Sequence, residues 1–231
     1  MSIRPGGKLA ARPLHFIWIC DCSGSMSGEK IEQLNFAIEE AIPHMRNVAD
    51  ENPNAEVLVR ALKFSDGAQW HVATATPVAN FTWKKLHAGG LTDMGKALRL
   101  TAEQLHTAVM PERGLPPVLV LISDGQPTDD FRGGLDALME LPWGKKAVRI
   151  GIAIGEDADL DVLQQFIGQP EIKPLLAHNP DQLVKYIKWV STAVLQAASA
   201  PNSQAQNAAA GHVPIPAAPV DNGPTGAADV W

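Results

Sequence analysis

Five oxygen-bearing side chains in three short stretches are the ones whose types and spacing could do chemistry together. They are Asp21, Ser23 and Ser25 in "CDCSGSMSGEK", Thr92 in "GGLTDMGKAL", and Asp124 in "LISDGQPTDD". Alternate side chains of an extended backbone point the same way, so Asp21, Ser23 and Ser25 can aim at one spot. One ion could then gather carboxylate and hydroxyl oxygens from all three stretches. Each residue also has a plain local reading. Ser23, Ser25 or Ser27 could cap a helix beginning near Glu29, although no acid stands three residues after Ser27 to complete a capping box. Thr92 or Asp93 could be an N-cap, and Asp124 with Gly125 an ordinary turn. What the single readings do not account for is the joint occurrence at three places of the same kind.

Other chemistries fail on specific positions. A serine-hydrolase elbow needs G-x-S-x-G, and "GSMSG" puts Met26 at the nucleophile's place. A paired-aspartate phosphotransferase needs a second acid at position 23, which is Ser23. "GLTDMGKA" imitates a phosphate-binding loop through Gly90, Gly95 and Lys96, but Ala97 stands where a hydroxyl must reach Mg²⁺, and the preceding "WKKLHAGG" is polar rather than a buried strand. Cys20 and Cys22 lack the further ligands a zinc site requires, the histidines being scattered without metal-ligand spacing. They read as small buried hydrophobes with free thiols, since a disulfide two positions apart would be strained.

The elements that must position the five residues follow from apolar patterning. "HFIWIC" (15–20), "PVLVLIS" (117–123) and "VRIGIAIG" (148–155) are continuous apolar runs, expected of parallel strands buried on both faces. "AEVLVRALKF" (55–64) is half polar, and "AQWHVATAT" (68–76) is its expected antiparallel hairpin partner at the sheet edge, joined by "SDG". Helical stripes run through Ile31, Leu34, Ile38, Ile42 and Met45, and through Met94, Leu98, Thr101, Leu105 and Val109. Pro43 is expected to kink or split the first helix. Further helical segments are "FRGGLDALMEL", "DLDVLQQFIG" and "DQLVKYIKWVSTAVLQAA". The alternation predicts a doubly wound, Rossmann-like α/β fold: a mostly parallel sheet with one antiparallel edge strand and helices on both faces. In such sheets ligands bind beyond the carboxyl ends of the strands, which is where Asp21 and Asp124 fall.

Composition narrows the function further. The 231 residues are 45% hydrophobic and 19% charged, with net charge −6 and pI about 5.6, a soluble globular balance that argues against a nucleic-acid or anionic-lipid surface. No apolar run reaches the roughly 20 residues of a membrane span, and the start of the chain lacks a signal-peptide apolar run. A cytoplasmic location is the expectation, and reduced thiols fit it. Residues 1–13 read as an N-terminal extension, 14–200 as one domain, and 201–231 as a flexible Pro- and Ala-rich tail. The terminal Val230 and Trp231 give that tail a candidate docking segment.

With these motifs in place, the sequence resembles the von Willebrand factor A (VWA) family. "DCSGS" matches its D-x-S-x-S motif, "GGLTDMGKAL" its threonine loop and "LISDGQPTD" its aspartate loop, over roughly residues 14–200. The resemblance implies that Asp21, Ser23, Ser25, Thr92 and Asp124 form a metal-ion-dependent adhesion site (MIDAS), Asp124 and sometimes the first aspartate acting through bound water. Asp129 and Asp130 are left without a ligand role. Within the family, "DCSGSMSGEKIEQLN" and "ISDGQPTDD" are most similar to the TerY-like, tellurium-resistance-associated subfamily. That implies a non-catalytic partner in a stress-response system with a serine/threonine kinase and a metal-dependent phosphatase. Hard oxygen donors of low total charge suit Mg²⁺ or Mn²⁺, and the expected partner is a protein that supplies an Asp or Glu to the ion. Two competitors are an accessory subunit of a MoxR- or chelatase-type ATPase, and a metal-dependent hydrolase using Asp93, Asp129 or Asp130 as base.

Overall fold

The computed structural model describes residues 11–110, 113–200 and 213–219. Six strands form one sheet in the order β3-β2-β1-β4-β5-β6. They are β1 (Arg12–Asp21), β2 (Ala55–Ser65), β3 (Gly67–Pro77), β4 (Val118–Ser123), β5 (Val148–Ile154) and β6 (Leu175–Ala177). All pairings are parallel except the β2–β3 hairpin, which is antiparallel and closes one edge. The expected doubly wound sheet with one antiparallel edge strand is therefore present.

The continuous apolar runs are explained by what covers them. Leu14, Phe16, Trp18 and Cys20 of β1 join one buried cluster with α1 (Glu29–Glu51) and a C-terminal helical stretch. That stretch comprises α6 (Pro180–Trp189), a π turn over Val190–Val194, and α7 (Leu195–Ser199). Ile17 and Ile19 face the opposite way, into a second cluster with α2 (Met94–Gln104), α3 (Phe131–Glu140) and α5 (Leu160–Ile167). A strand with alternate side chains in two cores has no polar face, hence no alternation to read. The topological switch lies between β1 and β4, whose carboxyl ends carry Asp21 and Asp124.

Several expectations are corrected. Pro43 does not split the first helix, which runs unbroken through Glu29–Glu51. Proline removes the hydrogen bond to the carbonyl of Glu39, but both residues are exposed, so water can serve that carbonyl while Ile38, Ala41, Ile42 and Met45 keep the buried face packed. The second helix ends at Gln104, and Val109 is 47% exposed rather than part of its stripe. The short strand β6 and the single-turn α4 (Pro142–Lys146) carry too little periodic sequence to be anticipated.

Arg149, a charge near the start of buried β5, is the other departure from a simple apolar run. Its guanidinium donates to the carbonyls of Phe166 (2.7 Å) and Ile167 (3.1 Å) at the end of α5 and of Gly144 (2.7 Å) in α4. It serves carbonyls at helix ends, adding a second donor at Gly144, which also accepts from Ala147 N–H.

Within the segment expected to be a flexible tail, residues 213–219 have no regular secondary structure but lie on the domain, with Val213, Ile215 and Ala218 packed against the first core cluster. Apolar residues spaced along a proline-containing strand can cover an apolar groove without secondary structure. The candidate docking residues Val230 and Trp231, and most of the 1–13 extension, lie outside the described residues. Among the described residues no helix is long and apolar enough to cross a membrane.

Candidate metal centre

Asp21 ends β1, and the chain after it turns through a short 3₁₀ segment, Gly24–Met26, anchored by buried Met26. The turn is held by backbone bonds to its neighbours. Cys22 N–H donates to Phe64 O (2.8 Å), Gly89 N–H to Cys22 O (2.8 Å) and Gly24 N–H to Gly90 O (2.9 Å). Helix α1 then starts at Glu29 from Gly28, so none of Ser23, Ser25 or Ser27 caps it. The serines are free for other contacts.

The threonine loop is shaped by the hairpin beside it. Asp66, at the β2–β3 turn, accepts from Leu91 N–H at 2.9 Å, and Gly90 sits against it with φ +91°. A Cβ at Gly90 would fall 2.5 Å from Asp66 Oδ2, so only glycine fits this approach. Thr92 N–H donates to Thr128 Oγ1 (3.0 Å) while Thr128 N–H returns to Thr92 O (2.9 Å), tying the second loop to the third. The glycine and lysine that imitate a phosphate loop are structural. Gly95 lets α2 and α3 touch, since a Cβ there would lie 2.2 Å from Asp130 O, and Lys96 pairs with Asp93 at 2.6 Å.

These loops bring the five residues together. Ser23 N–H donates to Asp21 Oδ1 (2.8 Å), Ser23 Oγ and Ser25 Oγ lie 3.0 Å apart, and Ser25 Oγ donates to Asp124 Oδ1 at 2.7 Å. Gly125 marks where the hydroxyls meet, because a Cβ there would lie 3.7 Å from Ser25 Oγ and 3.8 Å from Thr92 Oγ1. Asp21, Ser23, Thr92 and Asp124 are buried and Ser25 is exposed, so the cluster opens to solvent on one side.

Two residues at the site were not anticipated. Ser123 Oγ donates to Asp21 Oδ2 at 2.5 Å, and Lys30 Nζ pairs with Asp124 Oδ2 at 2.7 Å. The signal for Ser123 was its place next to Asp124 at the strand end; Lys30 had no signal until α1 placed it over the loop. Burial pushes the Asp21 carboxyl above the usual range, and the neighbouring Asp124 charge adds to this, while hydrogen bonds from Ser123 and Ser23 pull it back. Two buried carboxylates thus lie near enough to feel one another's charge, and one of them, Asp124, is paired with an ammonium.

The acids left without a role have one. Asp129 accepts from Gly95 N–H (2.7 Å) and Lys96 N–H (2.8 Å), capping α2 from another loop. Asp130 caps α3 through Gly133 N–H (3.0 Å) and pairs with Arg99 at 2.5 Å. Asp93 precedes α2 but does not cap it, its carboxylate accepting instead from Gly67 N–H (2.7 Å) and Lys96. Cys20 and Cys22 are buried free thiols; burial pushes Cys20 well up and Cys22 up to about 12. Neither is a thiolate ligand at neutral pH.

Among the described residues no group of three or more His, Cys, Asp and Glu is placed to hold a metal ion. The converging set contains only two such residues; its other donors are hydroxyls. Hard oxygens, an unbalanced pair of buried carboxylates and one open side fit a divalent cation that retains water, as Mg²⁺ does, better than a fully enclosed zinc cage.

Comparison with known proteins places the chain by family and fold. The family model for the von Willebrand factor type A domain matches residues 17–185. No curated protein sequence matches significantly. Among solved structures, the chain is similar to the ArnB paralog VWA2 from Sulfolobus acidocaldarius, with 20% identity and TM-score 0.57 over 77% of this chain and 45% of that one. It is similar to a von Willebrand factor type A protein from Catenulispora acidiphila, with 16% identity and TM-score 0.58 over 81% and 43%. It also resembles proximal thread matrix protein 1 from the mussel byssus, solved with a zinc-occupied MIDAS motif, at 16% identity and TM-score 0.59 over 78% and 48%. The chain spans a little under half the length of each of these three. At these identities the solved structures establish the fold, and the family match covers most of the chain: it belongs to the von Willebrand factor type A domain family.

Proposed function

We propose that this chain is a non-catalytic docking module in which Asp21, Ser23, Ser25, Thr92 and Asp124 hold Mg²⁺ or Mn²⁺ and present it to an acidic side chain of a partner protein. The observation that carries the reading is the convergence of serine, threonine and aspartate oxygens from three loops around Gly125. A divalent ion bound there supplies an electrophilic point that accepts one outside carboxylate oxygen. The protein's part is to fix direction. Asp21 is held by Ser23 and Ser123, and Asp124 by Ser25 and Lys30, so neither carboxylate can turn to chelate in a closed cage. Exposed Leu91, next to Thr92, gives a partner apolar surface beside the polar point. Loop contacts of that kind would supply most of the buried area.

The absence of catalysis in this proposal is supported by the fate of the candidate bases. Asp129 and Asp130 accept backbone hydrogen bonds that build the starts of α2 and α3, and Asp93 is engaged by Gly67 N–H and Lys96. The finer assignment, a cytoplasmic TerY-like component acting with a kinase and a phosphatase, rests on the motif resemblance alone.

Titration calorimetry with Mg²⁺, Mn²⁺ and Zn²⁺, the last included because a solved neighbour carries zinc in its MIDAS motif, tests the site. Affinity capture with and without chelator tests its use. Wild type is expected to bind a divalent ion, and Asp21→Ala to weaken partner binding by at least about tenfold, roughly 1.4 kcal/mol, with the fold intact. Equal capture with and without metal sinks the proposal.

A further inference from the structure

Lys30 enters the docking reading only as a group that holds Asp124 in place, and its charge has a further consequence. It is the second residue of α1, its side chain 19% exposed, and its ammonium lies 2.7 Å from Oδ2 of Asp124, whose side chain is fully buried. The other cations nearby have partners outside the ligand set: Lys96 is held by Asp93 and Arg99 by Asp130. Among the described residues, Lys30 alone spends its charge on one of the five candidate ligands. As ionised groups, Asp21, Asp124 and Lys30 together carry a net charge of −1. A divalent ion would bring the total to +1, whereas without Lys30 the loaded site would be neutral.

We propose that Lys30 is a built-in third charge of the site, one that holds down its affinity for divalent cations and leaves it net positive once loaded, so that an anionic partner group is demanded. The inference rests on the docking reading above. Like charges in a partly buried cluster repel more strongly than in water, and Lys30 also occupies lone pairs on Asp124 that a cation or its waters would use. The same ammonium attracts a partner's carboxylate approaching the open side.

Three variants separate this role from a structural one. Lys30→Met keeps the apolar stem and removes the charge, Lys30→Gln does the same with a polar tip should the first variant fail to fold, and Lys30→Arg keeps the charge. In titration calorimetry with MnCl₂ or MgCl₂ alone, the two neutral variants are expected to bind at least about tenfold tighter than wild type, and Lys30→Arg within about threefold of it, as charge repulsion requires. In chelator the neutral variants should melt lower than wild type, because Asp124 loses its partner, and should gain more on adding Mg²⁺. Sodium acetate at matched ionic strength should strengthen Mn²⁺ binding more in wild type than in Lys30→Met. Wild type binding metal while the neutral variants bind equally or more weakly, or an equal acetate effect, overturns the charge role and leaves the docking site standing. No binding of Mg²⁺, Mn²⁺ or Zn²⁺ by wild type overturns both.

Discussion

Replacing Asp129 with alanine tests how the third loop positions the second. Its carboxylate accepts from the N–H groups of Gly95 (2.7 Å) and Lys96 (2.8 Å), two of the donors that the start of α2 cannot satisfy for itself. Asp93, which precedes the helix, makes no such bond. Losing an N-cap acceptor costs about 0.5–2 kcal/mol, and the Lys96 bond is exposed while the Gly95 bond is partly buried, so about 1–2 kcal/mol is expected for the pair. For a domain of this size that is a fall in melting temperature of roughly 2–8 °C. Because Thr92 lies two residues before α2, fraying of that first turn should also weaken Mg²⁺ binding, although Asp129 is not a ligand. Asp129→Asn, which keeps one acceptor oxygen, should recover part of both losses. Thermal melts in chelator and calorimetric Mg²⁺ titrations give the two readouts. An Asp129→Ala protein that melts like wild type refutes the capping argument. One that keeps full stability yet loses all metal binding makes Asp129 a ligand instead.

Two further outcomes follow from buried polar groups in β1 and β5. His15 is 6% exposed, and burial, with Arg60 nearby, holds its pKa down from 6.5 to about 4. The unfolded chain therefore binds more protons between those values, so stability is full above about pH 6.5 and is lost as pH falls toward 4, by on the order of 3 kcal/mol. His15→Leu should flatten that limb in urea unfolding measured across the range; an unchanged slope refutes it. Arg149→Met leaves carbonyls of Gly144, Phe166 and Ile167 without their buried donor, and should cost about 3 kcal/mol or more by denaturant unfolding. A loss below about 1 kcal/mol would mean that water replaces the guanidinium.

Much of the fold was legible because its signals are local. Phe16 to Cys20, Val118 to Ser123 and Val148 to Ile154 read as buried strands since each side chain has an apolar neighbour on one face or the other. The hairpin was readable from half-polar β2 and the "SDG" turn. Pro43 misled because the rule about proline counts a lost hydrogen bond but not which side of the helix loses it. Residues 213–219 misled because composition reports solvation, whereas Val213, Ile215 and Ala218 report a groove that exists only once β5, β6 and α6 are assembled.

The sequence by itself named the candidate donor set. Residue type marked Asp21, Ser23 and Ser25 at one strand end and Asp124 at another, although a 3₁₀ turn over Gly24–Met26, and not the expected extended period of two, carries Ser25. Only the tertiary structure decided which neighbouring charges share that set. Lys30 reaches Asp124 across 94 positions and Ser123 reaches Asp21 across 102, while Asp129 turns away to cap α2. Ligand identity is a property of single residues and short spacings. Charge balance depends on distance through space, which no local pattern records.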